Sequence, residues 1–426
     1  MSAELLTTST ITDYIASRPE LRDLVDAATL SAREIGDGNL NLVFLVEDAR
    51  DRSLIIKQTL PYVRSDHSWK VTEDSIFREA RGLATSAKYA AGFSPEYYGL
   101  DESRRLVAIE DLSDWTVWRS ALDNEQVAPG AAYDVGRFEA RFAFGTSYFA
   151  NDPQSVQRDA ADAINPELEQ ITEDLVFTEP YFEHEHNSWE PEVTPEVLAL
   201  RDDHVRTQAA RLKYAFLTSP EALIHGDLHT SSIFVRPETP TAANTAEFAG
   251  GRDDDASRVK VFDFEFGFYG PVAFDLGILL GNYALAQARD IALHTAEYRT
   301  AADTGDHAAL PYFSQWLLGA YGETWRGFSS QWRTLWKGRV DPLFGDEFLE
   351  RWLADTFRKS LGFAGAEIIR RTIGWAQMAD INTLDHDGKV IASRFALDLG
   401  KALLERHETV SASRAFARLV MHHVPR

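Results

Sequence analysis

Residues Ile224–Ser232 read IHGDLHTSS, and 36 residues after Asp227 a second segment, VFDFEFGFYGP, brings Asp263 and Glu265. The first segment sets one carboxylate on a short loop between apolar runs, beside a glycine and two histidines. The second sets two carboxylates together after the β-branched Val259 and Val261. Phosphoryl transfer needs such a set: one acid to orient the attacking hydroxyl and accept its proton, and further acids to hold Mg2+ on nucleotide phosphates. The pattern points to a small-molecule kinase. Asp263 and Glu265 alternate along a segment that reads as extended, which predicts both carboxylates on one face.

Other positions fit the same chemistry. Lys57 lies in LIIKQ, between apolar strand residues. A buried ammonium must find an anion, because a lone buried charge costs several kcal/mol. Glu79, 22 residues on and within a predicted helix, is the expected partner. A strand lysine paired to a helix glutamate and reaching the α/β-phosphates is a protein-kinase arrangement. Upstream, EIGDGNLN precedes a predicted strand, and a glycine-bearing turn can lay backbone N–H groups over phosphates. His225 reads as a hydrogen-bonding support for the Asp227 loop. Arg370 and Arg371 sit late in a helical run, where neighbours point about 100° apart. They read either as one buried ion pair with one exposed arginine, or as the edge of an acceptor cleft. Glu183–His186, EHEH, reads as a solvated loop, since adjacent side chains diverge and no third ligand is evident in the sequence. The C-terminal tryptophans read as helix packing.

The chain has 426 residues, 44% hydrophobic and 26% charged, enough for two to three domain-sized units or one two-lobed enzyme. Its net charge of −23 argues against nucleic-acid or anionic-membrane partners, which select clustered cations. No apolar run reaches the 18 or so residues of a membrane span. The first residues lack a basic and an apolar leader region, so no secretory signal is expected. The absence of cysteine excludes disulfides and thiolate metal sites, which suits a reducing cytoplasm.

The hydrophobic period divides the chain. Residues 1–30 carry helical spacing (Ile11, Tyr14, Ile15, then Leu21, Leu24, Val25). Leu42–Glu47 and Ser53–Gln58 flank the polar DARDR and predict a hairpin. A helix over Asp74–Ala87 and strands near Tyr97–Leu100 and Leu106–Ile109 complete an N-terminal lobe, 1–111. From Ala131 the period is helical (133–150, 195–217, 273–290, 309–325, 347–379 and 391–408), with Ile233–Val235 and Val259–Phe262 as the strand-like interruptions. This makes 112–426 a mainly helical second lobe. The fold class is α+β. Between those two strands lies RPETPTAANTAEFAGGRDDDAS, an aperiodic stretch that reads as an insertion extending a hairpin rather than as a lid.

With these residues assembled, the chain resembles the 5-methylthioribose kinases, sugar kinases of methionine salvage with the bilobal protein-kinase-like fold. GDGNLNLVFLV, IIKQTLPYVR, IEDLSDW, KYAFLTSPEALIHGDLHTSSIF, EFGFYGPVAFDLG and GFAGAEIIRRTIGWAQMADI carry the resemblance, in the family's order. It implies ATP and Mg2+ as cofactors and a homodimer. It implies Gly36, Asp37, Gly38, Asn39 and Asn41 as the phosphate loop, Lys57 as the phosphate lysine and Glu110, Asp111 and Leu112 as the segment facing adenine. Asp227 becomes the catalytic acid, Asp263 and Glu265 the Mg2+ ligands, and Arg370 with Arg371 the substrate pair. Ser232 stands where related aminoglycoside kinases carry a metal-binding Asn, and is the weaker ligand. The implied reaction phosphorylates the anomeric hydroxyl of a 5-substituted ribose. Several positions depart from the family: Ser231 for Gly, Phe264 for Pro, Gly267 for Ala, and His67 and Lys70 around the retained Trp69. Two other readings stay open: the same fold acting on a sugar such as a 5-deoxypentose, and a nucleotide-binding pseudokinase. Retention of Lys57, Asp227, Asp263 and Glu265 together speaks against the pseudokinase.

Overall fold

The computed structural model describes residues 4–35, 41–64, 66–70, 72–237, 257–410 and 413–424. Gly36, Asp37, Gly38 and Asn39, and all but the ends of the 236–257 insertion, lie outside them. The chain forms two compact units: Met1–Trp115 with Lys260–Gly267, and Thr116–Val259 with Phe268–Arg426. The first unit is therefore not contiguous in sequence, because the segment that carries Asp263 and Glu265 belongs to it.

In the first unit α1 (Ile11–Ala16) and α2 (Pro19–Arg22) precede β1 (Ser31–Glu34), β2 (Asn41–Glu47), β3 (Ser53–Thr59) and a small hairpin, β4 (Tyr62–Val63) and β5 (Asp66–Lys70). Then come α3 (Ser75–Tyr89), β6 (Tyr97–Asp101) and β7 (Leu106–Ile109). The main sheet runs β1-β2-β3-β7-β6, each pair antiparallel. The expected hairpin is β2–β3. Its DARDR turn is closed by Asp48, whose Oδ1 accepts from Arg50 N (2.8 Å) and Arg52 N (3.1 Å). Strand alternation then sorts β3. Leu54 and Ile56 join Phe44, Val46, Leu106 and Ala108 in a core with Ile11, Ile15 and Leu21, while Lys57 takes the opposite face. The sequence EIGDGNLN lies between β1 and β2, and β1 itself escapes the sequence reading because Ser31–Glu34 is mostly exposed.

The second unit opens with β8 (Thr116–Val117) and α4 (Trp118–Asp123), followed by α5 (Ala131–Thr146), α6 (Pro153–Asp162), α7 (Pro166–Phe177), α8 (Thr194–Ala199) and α9 (Asp203–Thr218). Short strands β9 (Ala222–Ile224) and β10 (Ile233–Val235) flank the HGDLHT loop. β11 (Val259–Val261) bridges the division between the units, and β12 (Phe268–Gly270) pairs antiparallel with β9. The remainder is helical: α10 (Val272–Leu293), α11 (Thr295–Thr304), α12 (Tyr312–Leu335), α13 (Asp346–Ile373), α14 (Ala379–Asn382), α15 (His386–Arg406) and α16 (Ser413–His422). β8, β9 and β12 were not expected. Strands of two or three residues carry too few alternations to register as a period. One core holds Phe177, Phe216, Phe274, Phe363 and Ile369, and another packs Phe144, Phe328, Trp332 and Trp336, so most of the C-terminal tryptophans are packing residues. No described helix is long and apolar enough to cross a membrane.

Candidate active site

Each unit gathers one part of the expected chemistry. In the first, β3 and α3 bring Lys57 and Glu79 together, with Lys57 Nζ 3.4 Å from Glu79 Oε2 and 2.5 Å from Asp263 Oδ1. Lys57 is only 8% exposed. Burial alone would lower its pKa, but Asp263, Glu79 and Glu265 outweigh that and raise it, so it stays charged. The Asp263–Glu265 segment is not extended as the alternation suggested. Asp263 adopts a left-handed backbone (φ 72°) and Phe264–Phe266 form a 3-10 turn. Gly82 of α3 permits this turn to dock: a Cβ there would lie 2.3 Å from the Phe264 Cβ. Phe264, the departure from the family's proline, is thereby buried against α3.

Glu265 is buried and accepts a hydrogen bond from Asn41 Nδ2 at 3.1 Å. Burial, then the neighbouring Asp263 carboxylate, push it up to about 8. Asn41 Oδ1 is buried and has no hydrogen-bond partner among the described residues. Crowded hard oxygens whose charges oppose one another, beside an orphaned carbonyl oxygen, fit a divalent cation such as Mg2+. Glu110 and Asp111 are engaged within the same unit. Glu110 Oε2 meets Lys260 Nζ (2.9 Å) and Glu96 N (2.9 Å), and Asp111 Oδ2 accepts from Ser53 Oγ (2.7 Å). Leu112 is buried.

In the second unit Gly226 turns with φ 83° and presents Asp227. His225 supports the loop, its Nδ1 accepting from Asp227 N at 3.2 Å. Asp275, at the start of α10, accepts from His225 N (2.5 Å) and Gly226 N (2.9 Å). Burial dominates there and pushes Asp275 up to about 7. His229 Nε2 stands 3.2 Å from Asp227 Oδ2. Ser232 Oγ is turned inward, donating to Asp227 O (3.2 Å) and facing His229 Nδ1 (3.1 Å), so it braces the loop.

Arg370 and Arg371 do not diverge into one buried and one exposed side chain: they are 7% and 6% exposed. Both reach Glu367, one turn back on α13, through Nε at 2.5 and 2.9 Å respectively. Both also place Nη2 3.5 Å from Asp227 Oδ1. Spacings of three and four residues share a helix face, so one carboxylate can hold both guanidiniums. At 3.5 Å their attraction to Asp227 is electrostatic rather than a tight fork, leaving donors for a ligand. Burial would raise the Asp227 pKa, but His229, Arg371 and Arg370 overcome it and hold the carboxyl far below the usual range.

Sequence reasoning missed the shell around this group. Arg119 of α4 is buried, donates from Nε to Ser231 Oγ at 2.9 Å, and pairs with Asp380 and Asn282. Asn282 in turn donates to Glu367 Oε1 at 3.1 Å. Ser231, another departure from the family, is thus an acceptor for a buried arginine. Nothing in TVWRSAL marks Arg119, whereas Asp275 lay in the quoted PVAFDLG and could have been assigned.

No protein-family profile matches the chain. It is 38% identical over 400 residues to a methylthioribose kinase of Geobacillus kaustophilus, covering 92% of this chain and 91% of that one. A methylthioribose kinase of Yersinia pseudotuberculosis is 38% identical over 383 residues, 88% of this chain and 87% of the other. Among solved structures, a choline kinase from Cryptosporidium parvum aligns with TM-score 0.46 at 10% identity, covering 98% of this chain and 94% of that one. A microcompartment-associated aminopropanol kinase aligns with TM-score 0.45 at 14% identity, covering 97% and 100%. At this identity over nine-tenths of its length, the chain belongs to the methylthioribose kinase family.

Proposed function

We propose that this chain transfers the γ-phosphoryl group of ATP to the anomeric hydroxyl of 5-methylthioribose. The observation that carries the reading is the placing of two buried guanidiniums 3.5 Å from Asp227, in a family whose members bear that name. Asp227 orients the sugar hydroxyl through a hydrogen bond and takes its proton late, as a loose phosphoryl-transfer transition state allows. Arg370 and Arg371 hold the acceptor and offset charge that develops on the transferring group. Lys57, fixed by Glu79, meets the α/β-phosphates, the family reading assigns the phosphate role also to residues 36–41, and Glu110–Leu112 takes adenine. Asp263 and Glu265 are the residues that would hold Mg2+, which when bound neutralises phosphate charge. Ser232 supports the catalytic loop. The same family reading carries a cytoplasmic location and a homodimer, the latter checked by light scattering of the purified chain.

The test is a coupled ADP-release assay over methylthioribose, 5-deoxyribose, ribose and an aminoglycoside, with the product phosphate located by 31P NMR. We expect methylthioribose to give the highest kcat/KM, with phosphate on the anomeric carbon. Preference for another acceptor, or phosphate on another hydroxyl, overturns the proposal.

A further inference from the structure

The EHEH segment has more structure than a solvated loop. Glu179, five residues upstream of His184, turns its Oε2 to 2.7 Å from His186 Nδ1 and 3.5 Å from His184 Nδ1. The three ligand-type atoms lie within 4.8 Å of one another. The missing third ligand sits on the 3-10 turn Glu179–Tyr181, which follows α7 and folds back under the histidines.

His184 Nδ1 lies 3.5 Å from the same carboxylate oxygen that His186 Nδ1 meets at 2.7 Å, so two imidazole nitrogens converge on one oxygen. The backbone N–H of His186 reaches His184 Nδ1 at 3.3 Å, a long contact that an ion at that nitrogen replaces. Two ligands bound to Zn2+ at about 2.0–2.1 Å in tetrahedral geometry lie roughly 3.4 Å apart. The observed separations, 2.7 and 3.5 Å, bracket that value. Both histidine side chains are 35% exposed, which leaves an entry path and room for a water as fourth ligand.

We propose that Glu179 Oε2, His184 Nδ1 and His186 Nδ1 bind one divalent transition ion of the Zn2+ class. Two imidazoles and one carboxylate select such an ion over Mg2+, so the nucleotide's metal does not compete for the site. The loop they belong to is fastened to the end of α13. Ser188 N donates to Ile373 O (2.8 Å), and Gln377 Nε2 donates to Ser188 O (2.7 Å) and Oγ (2.9 Å). Arg371 Nη1 in turn donates to Ala376 O at 3.2 Å. An ion at this site stiffens the loop that is hydrogen-bonded to the segment bracing Arg371. Any consequence for the sugar site rests on the proposed function, but binding of the ion does not.

A second cluster, Glu125, Asp290 and His294, serves as a control. It offers a single imidazole, whose Nε2 lies 3.0 Å from Glu125 Oε1 and 3.8 Å from Asp290 Oδ1. The experiment is equilibrium dialysis of the full chain against Zn2+, with Co2+ as a visible-absorption probe and hydrogen exchange read over 182–190 and 374–378. The wild type is expected to bind one equivalent, to show the intense bands of low-coordinate Co2+, and to gain protection in both segments. Losing an outer hydrogen bond to a ligand costs a site about 10–100-fold, so H184Q, H186Q and E179Q should each weaken binding at least about tenfold. H294Q should leave it unchanged. The chain has no cysteine to supply a thiolate background. If the wild type binds no Zn2+, if the three variants bind as it does, or if H294Q alone abolishes binding, the site is not this one.

Discussion

The two charged clusters solve opposite problems. Around Lys57 three carboxylates, Glu79, Asp263 and Glu265, share one ammonium. Around Asp227 three guanidiniums, Arg119, Arg370 and Arg371, share Asp227, Glu367 and Asp380. The first cluster carries an excess of negative charge that burial makes costly, and Glu265 registers this with a raised pKa. The second is nearly balanced, and its anions register strong stabilisation: Glu367 is lowered despite its burial. An acidic cluster of this kind is completed by a cation, whereas a balanced one with loosely engaged guanidinium donors is ready for an anion. Under the proposed function, nucleotide with metal and acceptor with its developing phosphate are the corresponding guests.

The largest expected effect comes from breaking the balanced cluster. Glu367→Gln leaves two buried guanidiniums without their common anion and should cost about 3–5 kcal/mol of stability, the usual result of removing one partner of a buried pair. Urea denaturation measures it, and a loss below about 1 kcal/mol would show that Asp227 and water suffice to hold the arginines. Asp227→Asn should lower kcat at least about 100-fold while nucleotide binding persists. Near-normal turnover in the folded variant would remove Asp227 from the chemistry.

The pH dependence of stability follows from the same residue. The folded-state pKa of Asp227 lies below its unfolded value of about 3.9, so its stabilisation is complete above that pH and is lost as pH falls through and below about 4. The acid limb of Tm against pH should therefore be shallower in Asp227→Asn than in the wild type. Parallel limbs would mean that the arginines do not stabilise the carboxylate. The smallest effect is expected of Ser231→Gly, which restores the family's residue and removes one acceptor from Arg119. A loss of about 1 kcal/mol is typical for one hydrogen bond. Unchanged thermal stability would show that Asn282 and Asp380 alone fix that side chain.

Much of this was legible in the sequence, for identifiable reasons. Lys57 and Glu79 could be paired because a buried lysine has few ways to be satisfied, and the Asp227 loop stood out by its own chemistry. The geometry of Asp263 could not be read. Alternation predicts an extended segment, but packing of Phe264 on Gly82 selects a left-handed residue and a tight turn. Of the two readings left open for the arginines, the one with a single buried side chain fails because helical divergence treats each side chain alone. A shared carboxylate one turn earlier draws both to one side. Arg119 was silent because its partners Ser231, Asn282 and Asp380 lie at least 112 residues away in the chain. Residue spacing reports local geometry, whereas such networks are set by tertiary packing.

The division of labour between the clusters is tested most directly by calorimetric titration of a non-hydrolysable ATP analogue, with and without Mg2+. The proteins to compare are wild type, Glu265→Ala and the Arg370→Lys, Arg371→Lys double variant. Mg2+ should tighten nucleotide binding in the wild type and in the arginine variant alike, and Glu265→Ala should lose most of that enhancement. Contradiction would come from an arginine variant that loses the Mg2+ enhancement while Glu265→Ala keeps it.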